Sequence, residues 1–89
     1  MIGLVMEQLR KEIDDIDRKI IELLAKRFSI AKEIAKLKKD QNLPIQDKER
    51  EEEVIKNAIN NLKANGFDDA QFAKDLYAVI MKKSKEVQE

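Results

Sequence analysis

The feature that most constrains this chain is a stretch of about 37 residues, from Leu4 to Asp40, that contains no glycine and no proline. Apolar residues recur along it three and four positions apart, at Leu9, Ile13, Ile16, Ile20, Leu23, Ile30, Ile34 and Leu37. This spacing is typical of a helix that packs along its whole length. The stretch predicts one long helix of ~55 Å, at ~1.5 Å per residue.

One position in this apolar series is occupied by a cation, Arg27. Lys38 lies eleven residues further on, and eleven residues bring a helix back to almost the same angle. A guanidinium within an apolar stripe is costly unless an anion meets it. The first functional question is therefore which negative charge Arg27 faces.

Two shorter helices follow the long one. Asn42-Leu43-Pro44 ends the first helix, and Asp47 is a suitable N-cap for a second helix that ends at Asn65-Gly66. Asp68 is the expected cap of the third helix, with Gln71 completing a capping box. We expect the buried stripes to be Val54, Ile55, Ala58, Ile59 and Leu62 on the second helix, and Phe72, Ala73, Leu76 and Ile80 on the third.

The middle of the long helix is apolar on more than one side, at Ile20, Ile21, Leu23, Leu24 and Phe28. A helix of this kind is buried on two sides. The two short helices, end to end, can cover one side of it. A symmetric dimer with paired long helices is the simplest cover for the other side. We therefore expect an all-α fold with one domain, residues 1–89, and a homodimer.

Composition excludes several classes of function. The chain has 18 basic and 18 acidic side chains, so it lacks the excess positive charge of a nucleic-acid or membrane-surface protein. It has no cysteine and no histidine, which excludes a Cys/His zinc site and Ser-His or Cys-His catalysis. No apolar run is long enough to cross a membrane, and the start, Met1 to Met6, does not look like a signal peptide. We expect a cytoplasmic protein without a metal or a cofactor.

Polar residues interrupt or flank the apolar stripes at positions that would together form a pocket for a small polyanion: Arg10, Arg27, Lys38, Arg50, Glu51, Ser84 and Gln88. Arginine suits carboxylates because its fork binds both oxygens. Arg10 and Arg27 are ~25 Å apart on one straight helix, so they cannot hold the same small molecule from one chain. In an antiparallel pair of long helices, Arg10 of one chain can come near Arg27 of the other.

Each of these residues also has a purely structural interpretation. Arg10 can pair with Asp14, and Arg50 with Asp47 or Glu53, in surface contacts of little energy. Lys38 can simply favour the helix dipole, and Ser84 and Gln88 can belong to a fraying helix end. For Arg27 the structural alternative is a buried ion pair with a carboxylate such as Glu51 or Glu33.

Several segments, at their spacing in this chain, resemble the all-helical type of chorismate mutase over essentially the whole length. The segments are Leu9 to Asp17, Leu24-Ala25-Lys26-Arg27, Ala35-Lys36-Leu37-Lys38 and Pro44 to Glu51, with Ser84 and Gln88 in the third helix. The resemblance implies an intertwined helical homodimer with two equivalent sites and no cofactor. It implies the rearrangement of chorismate to prephenate, a step of phenylalanine and tyrosine biosynthesis.

The resemblance also implies roles for individual residues. Arg10 of the partner chain and Arg27 would bind the two carboxylates of chorismate. Lys38 and Gln88 would donate to the ether oxygen. Glu51, with the backbone near Asp47, would hold the ring hydroxyl, and Arg50 and Ser84 would complete the carboxylate contacts.

Two other functions remain open on the sequence. An isochorismate-pyruvate lyase would share the fold and much of the anion-binding set. A non-catalytic helical dimerisation module would use its polar positions to fix the register of the paired helices.

Overall fold

A computed structural model describes all residues, 1–89, as three helices without strands. The helices are α1 (Ile2–Asp40), α2 (Lys48–Ala64) and α3 (Ala70–Gln88). They contain 39, 17 and 19 residues, which confirms the prediction of one long and two short helices. None of the three is both long enough and apolar enough to span a membrane.

The helix ends follow local side-chain chemistry, with one correction. Asp47 caps α2 as predicted, because its carboxylate accepts a bond of 3.0 Å from the backbone N–H of Arg50. Gly66 takes a left-handed backbone with φ 97°, as expected after a helix end. The predicted cap of α3, Asp68, is wrong. Asp69 caps instead, accepting from the backbone N–H of Phe72 at 3.0 Å.

The start of α3 also lacks the predicted capping box. The side chain of Gln71 donates to Asp75 at 2.9 Å, one turn further along the helix, and does not turn back to the cap. With the cap at Asp69, Gln71 stands one position too early for the reciprocal bond.

Helix α3 packs against both α1 and α2, whereas α1 and α2 do not pack against each other. The expectation that both short helices would cover α1 is therefore wrong for α2. The apolar residues buried in this arrangement are Ala31 on α1 and Ala73 and Ile80 on α3. Phe72 and Leu76, which were predicted to be buried, are 53% and 43% exposed. The stripe that α3 buries runs instead through Ala73 and Ile80 to Ser84.

Helix α1 is covered within the chain only on one side, between Leu24 and Lys38. Leu24, Phe28, Ala31 and Ala35 are buried or half-buried there. Other apolar side chains are exposed from one end of the helix to the other: Leu9, Ile13, Ile16, Ile20, Leu23, Ile30, Ile34 and Leu37. Burial of α1 on a second side stays a prediction.

The shape of the single chain reflects these exposed side chains. Its radius of gyration is 16.9 Å, whereas a compact domain of this length would have about 12 Å. Its accessible surface is 7669 Å², whereas a folded monomer of this mass would expose about 5,400 Å². The chain on its own thus leaves about 2,300 Å² more surface in water than a typical monomer does.

Candidate functional site

The space between α1 and α2 is a cavity of about 400 Å³, a size typical of sites for small metabolites. Seven of the eight residues predicted from the sequence line it: Arg27, Lys38, Asp47, Arg50, Glu51, Ser84 and Gln88. Apolar side chains, among them Ile30, Ile34 and Val54, form the rest of its wall. The cavity therefore combines an apolar wall with a concentrated set of charged and polar groups.

Arg27 is half-buried on α1, and its guanidinium donates to the hydroxyl of Ser84 at 2.5 Å. The same guanidinium lies 6.0 Å from the centre of the Tyr77 ring, within the range of a cation–π contact. It forms no ion pair, although four ion pairs exist elsewhere in the chain. The structural alternative for Arg27, a buried pair with Glu51 or Glu33, is therefore wrong.

Ser84 is the only buried polar residue, with 8% of its surface exposed. Its hydroxyl accepts from Arg27 and donates to the backbone carbonyl of Ile80 at 3.0 Å. Because a hydroxyl has a single hydrogen to donate, Ser84 as found orients Arg27. A donation to a ligand would require the hydroxyl to rotate away from Ile80.

Lys38 reaches from the last turns of α1 to the segment that leads into α2. Its ammonium donates to the backbone carbonyl of Ile45 at 2.6 Å. An ammonium has three donors, so this contact fixes the group and leaves two hydrogens for a ligand in the cavity. The side chain does more than favour the helix dipole.

Gln88 occupies the end of the cavity formed by the last turn of α3. Its amide nitrogen donates to the backbone carbonyl of Ser84 at 3.0 Å, which leaves one N–H free. The amide oxygen of Gln88 is buried and has no hydrogen-bond partner. A buried acceptor of this kind is costly until a donor reaches it. Gln88 is the last residue of α3.

The start of α2 contributes both acidic and basic side chains to the cavity. Asp47 is engaged by its capping bond to Arg50. The guanidinium of Arg50 pairs with Glu53 at 2.5 Å, one turn along the same helix, so the predicted surface contact is present. The carboxylate of Glu51 meets the ammonium of Lys85 on α3 at 2.8 Å.

Lys85 is the cavity residue that sequence reasoning missed. It follows Ser84 directly and stands three residues before Gln88, so it lies near the same face of α3. In the sequence it looks like one member of a charged run with Lys82, Lys83 and Glu86. The three-residue spacing between Lys85 and Gln88 was the signal in the sequence that could have placed Lys85 in the cavity.

The lining charges do not cancel. Four cations, Arg27, Lys38, Arg50 and Lys85, line the cavity together with two carboxylates, Asp47 and Glu51. Arg50 is paired with Glu53 and Lys85 with Glu51, whereas Arg27 and Lys38 form no ion pair. The side chains therefore favour an anionic ligand. No group of acidic side chains is arranged to hold a metal ion.

A comparison with known protein families identifies the chain. The family described as chorismate mutase type II matches residues 9–89. The chain belongs to this family. The match includes α1 from Leu9 onward, the whole of α2 and α3, and every residue of the cavity lining.

Individual members of the chorismate mutase family are also similar to the chain. It is 48% identical over 46 residues to a chorismate mutase of Methanocaldococcus jannaschii, a match that covers 52% of this chain and 46% of that protein. It is 44% identical over 54 residues to a bifunctional chorismate mutase/prephenate dehydratase of Aquifex aeolicus, covering 61% of this chain and 15% of that one. These matches span about half or less of each relative's length.

A solved structure resembles the whole chain. A conserved hypothetical protein from Pyrococcus furiosus superposes with a TM-score of 0.73 and 44% identity, and the match covers 96% of each chain. At 44% identity, the two proteins are similar in sequence as well as in fold.

Arg10 is the one predicted site residue that lies outside the cavity. It is exposed on α1, and it forms neither the ion pair with Asp14 nor any other. The rise of a helix separates it by ~25 Å from Arg27 of the same chain. Within one subunit Arg10 therefore takes no part in the site.

Proposed function

We propose that this protein is a chorismate mutase, which rearranges chorismate to prephenate on the route to phenylalanine and tyrosine in the cytoplasm. The observation that carries the proposal is the cavity itself. In a chain of the chorismate mutase family, it contains two cations, Arg27 and Lys38, that form no ion pair. Chorismate is a dicarboxylate of matching charge.

The reaction suits a site that has no histidine or cysteine. Chorismate rearranges by breaking its ether C–O bond while a new C–C bond forms within the same molecule, so no proton is transferred and no nucleophile is needed. The protein has two tasks. It must hold the enolpyruvyl arm folded over the ring, which removes an entropic cost, and it must stabilise the negative charge that grows on the ether oxygen.

Lys38 and Gln88 are suited to the second task. Each is held by a backbone carbonyl, Lys38 by Ile45 and Gln88 by Ser84, and each keeps hydrogens to donate. Donors that are fixed before the reaction need little reorganisation as charge develops. Because the charge is larger in the transition state than in chorismate, these contacts would raise kcat as well as improve binding.

Arg27 would bind one carboxylate of the substrate, in the orientation that Ser84 gives it. Arg50 would exchange its exposed partner Glu53 for a substrate oxygen, at small cost because surface ion pairs contribute little. Glu51 and the backbone near Asp47 would hold the ring hydroxyl. In each case the proposal uses a residue of the cavity lining.

The proposal assigns the second carboxylate to a residue from outside the chain, Arg10 of the partner subunit. We infer an intertwined homodimer in which antiparallel α1 helices bring Arg10 of the partner subunit to the cavity. The apolar residues of α1 support the dimer, because those from Leu9 to Leu23 are exposed and lie outside the cavity. The excess surface of about 2,300 Å² per chain is the amount that a permanent interface would bury.

The decisive experiment offers purified protein chorismate and, separately, isochorismate, and follows substrate loss and product. We expect prephenate from chorismate at a rate far above the uncatalysed reaction. Salicylate and pyruvate from isochorismate would support the lyase instead. If a correctly folded dimer converts neither substrate, the result would support the interpretation of the chain as a non-catalytic dimerisation module.

A further inference from the structure

Lys85 and Glu51 form the only ion pair that joins two helices of this chain. The ammonium of Lys85 on α3 lies 2.8 Å from the carboxylate of Glu51 on α2, and the side chains are 38% and 24% exposed. The other three ion pairs join residues one turn apart on the same helix, and their side chains are 52–65% exposed. The contact between Lys85 and Glu51 is therefore the most enclosed ion pair in the molecule.

Both members of this pair belong to the cavity lining. The second oxygen of Glu51 accepts a long bond of 3.4 Å from Gln46, which holds the carboxylate only weakly. Lys85 is thus the main group that orients Glu51.

The charges around Glu51 explain why a nearby cation is needed to keep its carboxylate ionised. The donation from Lys85 holds the pKa of the Glu51 carboxyl below its usual range of about 4.5, more strongly than partial burial and the nearby Asp47 raise it. On α2 its charged neighbours are Asp47 and Arg50, and across the cavity Arg27 and Lys38 face it from α1. A bound dianion would bring further negative charge and favour protonation of Glu51.

We propose that Lys85 is a positioning residue that keeps Glu51 ionised and aimed into the cavity, so that Glu51 accepts the hydrogen bond of the substrate's ring hydroxyl. This inference rests on the proposed chorismate mutase function. A protonated or rotated Glu51 would lose that acceptor. Lys85 thus acts on the substrate through Glu51, and its effect is on binding of the ring and only weakly on the chemical step.

The test compares Lys85→Met with Lys83→Met, a matched change on the same helix at a lysine whose only ion pair is a surface contact of 3.7 Å with Glu86. For Lys85→Met we expect the KM for chorismate to rise about tenfold, the range of a lost charged hydrogen bond, with a much smaller change in kcat. The acid limb of kcat/KM should move to higher pH. Lys85→Arg should restore most of the loss, and Lys83→Met should resemble the unmodified protein.

A double variant separates action through Glu51 from direct contact with substrate. In the Glu51→Gln background, Lys85→Met should add little to the loss in kcat/KM, because the group that it orients is already neutral. Fully additive losses, or an unchanged KM and pH profile in Lys85→Met, would overturn the proposal. Circular dichroism of each variant verifies folding, and Lys85→Gln repeats the test should Lys85→Met fail to fold.

A measurement without substrate keeps this inference distinct from the proposed function. Carbon-13 NMR titration of the Glu51 carboxyl in the ligand-free protein should show a lowered pKa that rises in Lys85→Met and stays low in Lys83→Met. If chorismate is not converted but this titration behaves as expected, the proposed function fails while the pairing stands. If chorismate is converted and the titration of Glu51 is the same in all three proteins, the positioning role fails alone.

Discussion

The guanidinium of Arg27 lies 2.5 Å from the hydroxyl of Ser84, and no carboxylate of the chain pairs with it. A hydroxyl orients a cation without neutralising it. The charge that interrupts the apolar stripe of α1 is thus held in place by α3 and remains available to an anion. Through this contact, the arginine that interrupts the apolar series of α1 is held in the wall of the cavity.

Replacing Arg27 by leucine should remove activity without harming the fold. We expect kcat/KM for chorismate to fall by about 10- to 100-fold or more, the range of one lost charge-assisted hydrogen bond to a carboxylate. The melting temperature should stay the same or rise, because leucine restores the apolar series and removes a half-buried charge. Arg18→Leu is the control, since Arg18 is exposed on the same helix and pairs with Asp15. Full activity of Arg27→Leu would contradict the assignment.

Replacing Lys38 by methionine should act mainly on the chemical step. Its ammonium is held by the carbonyl of Ile45, and the proposal assigns its other hydrogens to the ether oxygen, whose charge grows in the transition state. We expect kcat to fall by about 100-fold or more, with a smaller change in KM. Lys36→Met, at an exposed lysine half a turn away, provides the comparison. A rise in KM alone would reduce Lys38 to a binding role.

A polar substitution in the exposed stripe of α1 should dissociate the dimer. Ile16 is 55% exposed in the single chain, and the proposal buries it against the partner. We expect Ile16→Gln to shift the protein to monomers or to unfold it, as measured by sedimentation velocity and circular dichroism. Asp17→Gln changes the adjacent, exposed residue and should leave the dimer intact. A monomeric unmodified protein would exclude the shared site.

Mixing two inactive variants tests whether Arg10 serves the partner's site. Arg10→Ala and Lys38→Ala chains are combined in equal amounts and allowed to exchange subunits. Each mixed dimer would contain one site with both residues intact, so roughly one site in four should become active. Verified exchange without recovered activity would mean that Arg10 does not complete the partner's site.

The rate should change little between pH 8 and about pH 5.5, because the proposed catalytic pair contains no histidine, and groups with an ordinary pKa near 6.5 are the ones that titrate in that range. Glu51 has a lowered pKa in the folded protein, so it stays ionised until the pH falls below its usual value of about 4.5. Ionised Glu51 therefore stabilises the folded protein at pH values above the pKa that Glu51 has in the unfolded chain. This stabilisation is lost as the pH falls through the lower pKa that Glu51 has in the folded protein. A steep loss of rate between neutral pH and pH 5.5, with the dimer intact, would contradict the assigned catalytic pair.

Local information in the sequence was sufficient for the helices and for most of the cavity. The apolar spacing, the cap at Asp47 and the left-handed Gly66 depend on neighbours within a turn or two, so their physics is contained in short segments. Arg27 was recognisable for the same reason, as a charge that breaks a local period.

Only the tertiary structure decided which groups meet across the cavity. The rotation and position of α3 between the other helices decide that Ser84 orients Arg27 and that Lys85 pairs with Glu51. They also set the gap between α1 and α2. Helical periodicity specifies the face on which a residue lies, but not its partner on another helix. A lysine in a charged run such as Lys85 looks the same in sequence whether it faces water or a carboxylate.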